Sequence, residues 1–355
     1  MLDRLGLTVP LIQAPMAGVS TPKLAAAVSN AGALGSIAVG ATDAIGACGM
    51  IEEVRTKTAR PFNVNVFVHS TPKADQATEA AWLDRLAPFF AEFDASPPAS
   101  LRTIYTSFAD DPEMLAMLLD AAPPVVSFHF GLPAAHAIAA LHDRGIYLLA
   151  TATTVAEAKA IEAAGVDAIV AQGIEAGGHR GVFEPGAPDE ALSTFALTRL
   201  LVRSCQVPII AAGGIMDGAD IAEALDLGAV AAQLGTAFIG CPESGADDGY
   251  RKALAGPGAQ HTTLTSLISG RPARSLANRF TALSQSNDHR PPPDYPIAYD
   301  AGKALNAAAK AKGEHGFGAH WAGQGAPLAR AMPAADLVKA LHDELRKKSR
   351  QLPVF

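Results

Sequence analysis

The chain has 355 residues, a formal net charge of -7, 49% hydrophobic residues and 18% charged ones. Such an acidic chain presents no general basic surface for nucleic acid, its apolar content supports a large core and argues against disorder, and no run of about 18 apolar residues offers a membrane span. Cys48, Cys205 and Cys241 form neither a CxxC nor a zinc-type spacing, and the N-terminus lacks a basic segment followed by an apolar one, so the expectation is a soluble, cytoplasmic protein with reduced thiols.

Eight short apolar runs follow one another along the chain, at 11–14, 33–37, 63–67, 125–130, 147–152, 167–172, 208–212 and 231–236. They lack side-chain alternation, as expected of parallel strands buried on both faces. Helical patterns lie between them, for example at 22–30, 133–143, 155–164 and 218–227. Thr153/Thr154 and Asp217 stand where N-caps belong, and Gly145, Gly165 and Gly228 where helices stop. Eight β/α alternations predict an α/β fold of the TIM (β/α)8 barrel type. Two stretches break the rhythm. Residues 68–124 predict a helix over 73–93 and an extra strand at 102–105. Residues 242–325 follow the eighth run, with three prolines at 291–293 and a glycine-rich stretch at 313–325. The expected division is a barrel of 1–241 and 326–355, closed by an amphipathic helix at 336–347, and a smaller, mostly helical lobe of 242–325 inserted over the barrel mouth.

Active sites of such barrels lie at the C-terminal ends of the strands. The seventh run leads into Gly213 and Gly214, and the eighth into Gln233-Leu234-Gly235-Thr236. Glycines there serve either as tight turns or as a phosphate cradle in which backbone N–H groups approach the anion; their occurrence after strands seven and eight together favours phosphate. The first run leads into Ala14-Pro15-Met16, a turn able to pack on a flat ring or simply to reverse the chain. Asn65 and Gln172 each carry a two-sided amide, for a ring edge or for the backbone. The sixth run ends in Gln172-Gly-Ile-Glu-Ala-Gly-Gly-His179, where Gly177 and Gly178 precede a histidine at the mouth. A histidine so placed is a candidate general base; pairing with Glu175 or a carbonyl is the structural alternative. Arg180 reads as an ion-pair partner. His129, after the fourth run, either orients substrate or packs between phenylalanines. Tyr299 and Lys303, four apart on a helix, fit an anionic substrate or a plain surface pair, and Gln324 lies in a loop that closes over the ligand or merely hinges. No nicotinamide fingerprint, thiolate nucleophile or paired-histidine metal spacing is present.

Taken together, Gln13-Ala-Pro-Met-Ala-Gly18, Asn65-Val-Phe67, Ser127-Phe-His-Phe-Gly131, Gly173-Ile-Glu-Ala-Gly-Gly-His-Arg-Gly181, Ala212-Gly-Gly-Ile215, Gln233-Leu-Gly-Thr236, Tyr299-Asp-Ala-Gly-Lys303 and Trp321-Ala-Gly-Gln324 resemble the nitronate monooxygenase family, formerly 2-nitropropane dioxygenases, in its bacterial class I-like branch. The resemblance implies FMN as cofactor, with its phosphate at Gly214 and 233–236 and its ring near Asn65, Gln172 and Gly177. It implies His179 as the catalytic base, and a nitronate or nitroalkane such as propionate 3-nitronate, with O2, as the reacting partners. Neither a nucleic acid nor a membrane is expected as partner, and the chain is expected as a monomer or homodimer. Three other readings stand beside it: an FMN-dependent NADH:quinone or enoyl-ACP reductase on the same fold, an FMN-holding sensor, and a barrel that binds a sugar phosphate without flavin.

Overall fold

The computed structural model describes residues 1–286 and 288–351; Asn287 and residues 352–355, which the expected division assigned to the lobe and the barrel, lie outside the described residues. Each apolar run of the sequence forms a strand: β1 (Leu11–Gln13), β2 (Gly35–Ala38), β3 (Phe62–Phe67), β4 (Val125–His129), β5 (Tyr147–Ala152) and β6 (Ala168–Gln172), then, after a two-residue strand β7 (Gly178–His179), β8 (Ile209–Ala212) and β9 (Ala231–Leu234). All but β7 pair in parallel in the order β1-β9-β8-β6-β5-β4-β3-β2. A parallel bridge between Ile12 and Leu34 joins the two ends, with the Gln13 N–H donating to the Leu34 carbonyl at 2.9 Å. The result is the expected barrel. Its strands are buried along almost their whole length, which is why their sequences show no alternation.

Local chemistry sets the helix ends. The Thr154 hydroxyl accepts the Glu157 N–H at 3.1 Å, while the Glu157 carboxylate accepts the Thr153 N–H and hydroxyl at 2.6 and 2.8 Å, a reciprocal cap. Asp217 accepts the N–H groups of Ala219 and Asp220 at 2.8 and 2.9 Å. The amphipathic C-terminal helix, Ala334–Gln351, is longer than its predicted 336–347; Leu337, Val338 and Leu341 bury against residues of the helices Pro22–Asn30 and Gly218–Asp226 and close the ring.

The two interrupting stretches pack on each other. The helix Gln76–Ala91, capped by Asp75, places Trp82, Leu86 and Phe90 in one apolar cluster with Ala301, Leu305 and Phe317 of the later stretch. The strand expected at 102–105 does not form. The Arg102 N–H donates to the Asp300 carboxylate at 3.0 Å instead of a sheet neighbour, and Tyr105 is buried among aromatic rings. The later stretch contains the helices Asp248–Ala255 and Ile297–Ala311 and also an antiparallel hairpin, β10 (Thr262–Thr265) and β11 (Ala273–Leu276). β11 pairs in turn with β7, setting Ala273 opposite His179 and Arg274 opposite Gly178. The lobe is thereby hydrogen-bonded to the loop that carries the candidate base.

Candidate active site

A cavity of about 720 Å³ opens at the C-terminal ends of the strands. Its floor comes from the barrel. Ala14, Pro15 and Met16 after β1, Asn65 on β3, Gly213 and Gly214 after β8, and Gln233, Gly235 and Thr236 around the end of β9 all line it. The turn after β1 is held by Ser20, whose hydroxyl accepts the Met16 N–H and the Gln13 side-chain amide, each at 2.8 Å. Asn65 donates to the carbonyl and hydroxyl of Ser127 at 3.1 and 3.0 Å, and its Oδ1 makes no hydrogen bond among the described residues. The backbone N–H groups of Gly214, Ile215 and Gly235 likewise donate to no acceptor among the described residues.

The loop from 172 to 181 is tied down at both ends. The Gln172 amide donates to the His179 carbonyl at 3.0 Å and accepts the Gly181 N–H at 2.7 Å, so its two faces are used on the loop. Arg180 is buried, pairs with Asp189 at 2.7 Å and donates to the carbonyls of Gln172 and Gly173 at 3.0 and 2.9 Å. Gly177 meets the lobe so closely that a Cβ there would lie 2.4 Å from the Gly323 nitrogen and 2.5 Å from the Ala322 carbonyl carbon; no larger residue fits without movement of backbone.

Glu175 is not the partner of His179, because its carboxylate accepts the N–H and hydroxyl of Thr194, each at 2.9 Å. The His179 Nε2 instead meets the Ser269 hydroxyl at 2.8 Å. His129 contacts the Thr151 hydroxyl through Nδ1 at 3.1 Å and the His179 carbonyl through Nε2 at 3.2 Å. Burial lowers His129 to about 4, although its bond to the His179 carbonyl opposes the shift. Burial, followed by the charges of His129 and Arg271, lowers His179 to about 3. Both rings are therefore neutral near pH 7, and a neutral imidazole has a lone pair to accept a proton.

Aromatic rings surround the imidazole. The His179 ring lies 5.6 Å from Phe130, 5.4 Å from Tyr295, 6.2 Å from Tyr299 and 5.1 Å from Trp321, centroid to centroid. Lys303 holds its ammonium 5.0 Å from the Tyr105 ring centre and 5.3 Å from that of Tyr299. Burial raises the Tyr105 and Tyr299 phenols to about 12, so both are hydrogen-bond donors at neutral pH.

Known proteins match this chain along almost its whole length. The profile of the family described as nitronate monooxygenase matches residues 1–344. The chain belongs to the nitronate monooxygenase family. It is 62% identical over 355 residues to the nitronate monooxygenase of Paraburkholderia phytofirmans, covering 100% of this chain and 97% of that protein. With that of Pseudomonas aeruginosa it shares 57% identity over 350 residues, covering 98% and 100%. A crystal structure of nitroalkane oxidase from Streptomyces ansochromogenes superposes with a TM-score of 0.90 at 41% identity, covering 99% of each chain. FabK from Thermotoga maritima superposes with a TM-score of 0.75 at 28% identity, covering 99% and 96%. The family match and the higher identities support the nitronate reading over a reductase on the same fold.

In this nitronate monooxygenase family member, most of the residues singled out in the sequence meet at the cavity, including Gly177, Gly178, His129, His179, Tyr299 and Lys303. Two do not line it. Leu234, the last residue of β9, is buried in the apolar core, its carbonyl taking the Ala14 N–H at 2.8 Å. Gln324 is exposed, and what it contributes is a backbone N–H to the Glu175 carbonyl at 2.9 Å. Motif reading missed Tyr105, Phe130, Tyr295 and Trp321, which line the cavity, and Ser269 and Arg271, which contact the lining residues His179 and Phe130. Tyr105, Tyr295, Ser269 and Arg271 lie in no strand-end glycine loop. Phe130 and Trp321 stood inside quoted motifs, and their aromatic character was the signal available.

Proposed function

We propose that the chain is an FMN-dependent nitronate monooxygenase, converting alkyl nitronates or nitroalkanes, such as propionate 3-nitronate, with O2 to a carbonyl compound and nitrite. The observation that carries this reading is the neutral His179 ring in a cavity that Asn65 and the glycine loops also line. The residues present fit FMN. The N–H groups of Gly214, Ile215 and Gly235, which donate to no acceptor among the described residues, suit a phosphate. Ala14, Pro15 and Met16 would flank the ring system, and the Asn65 Oδ1, which makes no hydrogen bond among the described residues, suits a ring N–H. When bound, FMN supplies the electron-accepting group for which the side chains of this chain have no counterpart.

The chain's own residues do the rest. His179 takes the α-proton of a neutral nitroalkane, which the nitro group makes acidic. The phenols of Tyr105 and Tyr299, held protonated by burial, donate to the oxygens of the resulting nitronate. Lys303 attracts a substrate carboxylate where one is present. Phe130, Tyr295 and Trp321 exclude water from the reacting carbon. A cytoplasmic location and action as a monomer or homodimer complete the proposal. The test is an anaerobic absorbance spectrum of the purified protein with nitronate and NADH added separately. Bleaching of a flavin band by nitronate and not by NADH is expected. Bleaching by NADH alone assigns a reductase, a yellow protein inert to both assigns a sensor, and a colourless protein that FMN cannot reconstitute removes the flavin.

A further inference from the structure

We propose that Ser269, on the lobe turn that leads into β11, fixes the tautomer of His179: it holds Nε2 as N–H and leaves Nδ1 as the atom that takes the substrate proton. The inference rests on the reading of His179 as the base and specifies which of its two nitrogens acts and what sets that choice.

The pairing of β11 with β7 brings the 269–271 turn against the imidazole. Ser269 is fully buried. Its oxygen lies 2.8 Å from His179 Nε2, 3.2 Å from the Arg271 carbonyl and 3.4 Å from the Arg271 N–H. A hydroxyl has one proton to give and two lone pairs to receive with. The Arg271 carbonyl only accepts and the Arg271 N–H only donates. If the hydroxyl proton goes to the carbonyl, the lone pairs receive the Arg271 N–H and a protonated Nε2, and every contact is satisfied. If it goes to Nε2, the Arg271 carbonyl loses the one hydrogen bond it makes among the described residues, and unpaired buried carbonyls are disfavoured. The same accounting leaves Nδ1 available. It makes no hydrogen bond among the described residues, and it is not among their fully buried unpaired atoms, so it keeps open surface on a ring that lines the cavity.

The charges around the ring agree with this. His129, on β4, offers Nε2 to the His179 carbonyl and so carries its own proton there in the neutral form. The Arg271 guanidinium sits 4.3 Å from the Phe130 ring centre on the lobe side. Tyr295 and Tyr299 face His179 from the segment leading into Ile297–Ala311 and from that helix. Lys303 lies behind Tyr299, and Arg180 is spent on Asp189. Among the described residues no carboxylate is hydrogen-bonded or ion-paired to the imidazole. A carboxylate partner would fix the tautomer too, but it would also favour the charged ring. A serine fixes the tautomer and leaves the ring neutral. Ser269 is thus a positioning residue that acts through His179.

The test uses protein labelled with 15N at histidine, its His179 signals assigned by their loss in His179→Asn, and compares wild type with Ser269→Ala and Ser269→Thr. Wild type is expected to show the 15N shifts of a protonated Nε2 and a bare Nδ1. Ser269→Ala is expected to show a tautomer mixture. Its kcat/KM is expected to fall about tenfold more with a neutral nitroalkane than with the pre-formed nitronate, and Ser269→Thr is expected to restore both readouts. A protonated Nδ1 in wild type, or shifts unchanged in Ser269→Ala, overturns the inference. Full nitroalkane turnover by His179→Asn overturns the base itself, a failure that the tautomer signals do not share.

Discussion

The barrel rim and the lobe face each other across one cavity and build it by different means. The rim works through backbone: glycine N–H groups at Gly214 and Gly235, a turn held by Ser20, and a loop whose amide contacts run through Gln172. The lobe works through side chains: Tyr295, Tyr299 and Trp321 around His179, Lys303 above two phenols, and Ser269 on the imidazole. Backbone sites accept a feature common to many ligands, such as a phosphate. Side-chain walls select one substrate and set the protonation of the base. A shared barrel rim is thus compatible with several chemistries, and on the function proposed above the side chains of the lobe are what choose among them.

Three substitutions sharpen that contrast. The largest effect is expected where the two regions touch. Gly177→Val drives a branched side chain into the backbone of Ala322 and Gly323, and should weaken flavin retention by about 100-fold or more, a value in line with loss of a close-packed contact. Fluorescence of released FMN on titration measures it, and wild-type retention would mean that rim and lobe are not coupled there. Next, Lys303→Met should raise KM for a carboxylate-bearing nitronate about tenfold while altering KM for an uncharged nitroalkane far less, as expected for one partly exposed charge. Equal effects in steady-state assays on both would remove Lys303 from substrate selection. The smallest effect concerns stability. Because His129 is lowered to about 4 in the folded chain, the unfolded chain binds more protons below about pH 6.5, and stability should fall as pH drops from there toward 4. His129→Asn should remove about 1 kcal/mol of that fall, less than the full linkage because one edge of the ring borders the open cavity. Urea unfolding at pH 7 and pH 5 reads it, and an unchanged difference would deny the linkage.

The same contrast explains what could be read from the sequence. Gly213 and Gly235 each follow a strand by one residue and His179 follows β6 by seven, so once eight apolar runs are recognised their positions at the mouth follow from local spacing. Caps behave likewise: Thr154 and Asp217 act on N–H groups two or three residues away. Lobe contributions are long-range. Ser269 lies 90 positions from the ring it holds and reaches it only because β11 pairs with β7, a strand of two residues with no pattern of its own. The strand expected at 102–105 failed for a related reason, since the Asp300 carboxylate, 198 positions away, takes the N–H that a sheet would have used. Gln172 shows a third case. Its amide was correctly located, but its two partners belong to its own loop.

One variant shows whether His179 is the base. His179→Asn would be mixed anaerobically with a neutral nitroalkane and, separately, with the nitronate of the same compound, and flavin bleaching followed by absorbance. Bound flavin, reduction by the nitronate, and a rate with the neutral form lowered by about 100-fold or more beyond any loss with the nitronate are expected. Equal rates for the two forms, or a neutral-form rate matching wild type, would contradict that role.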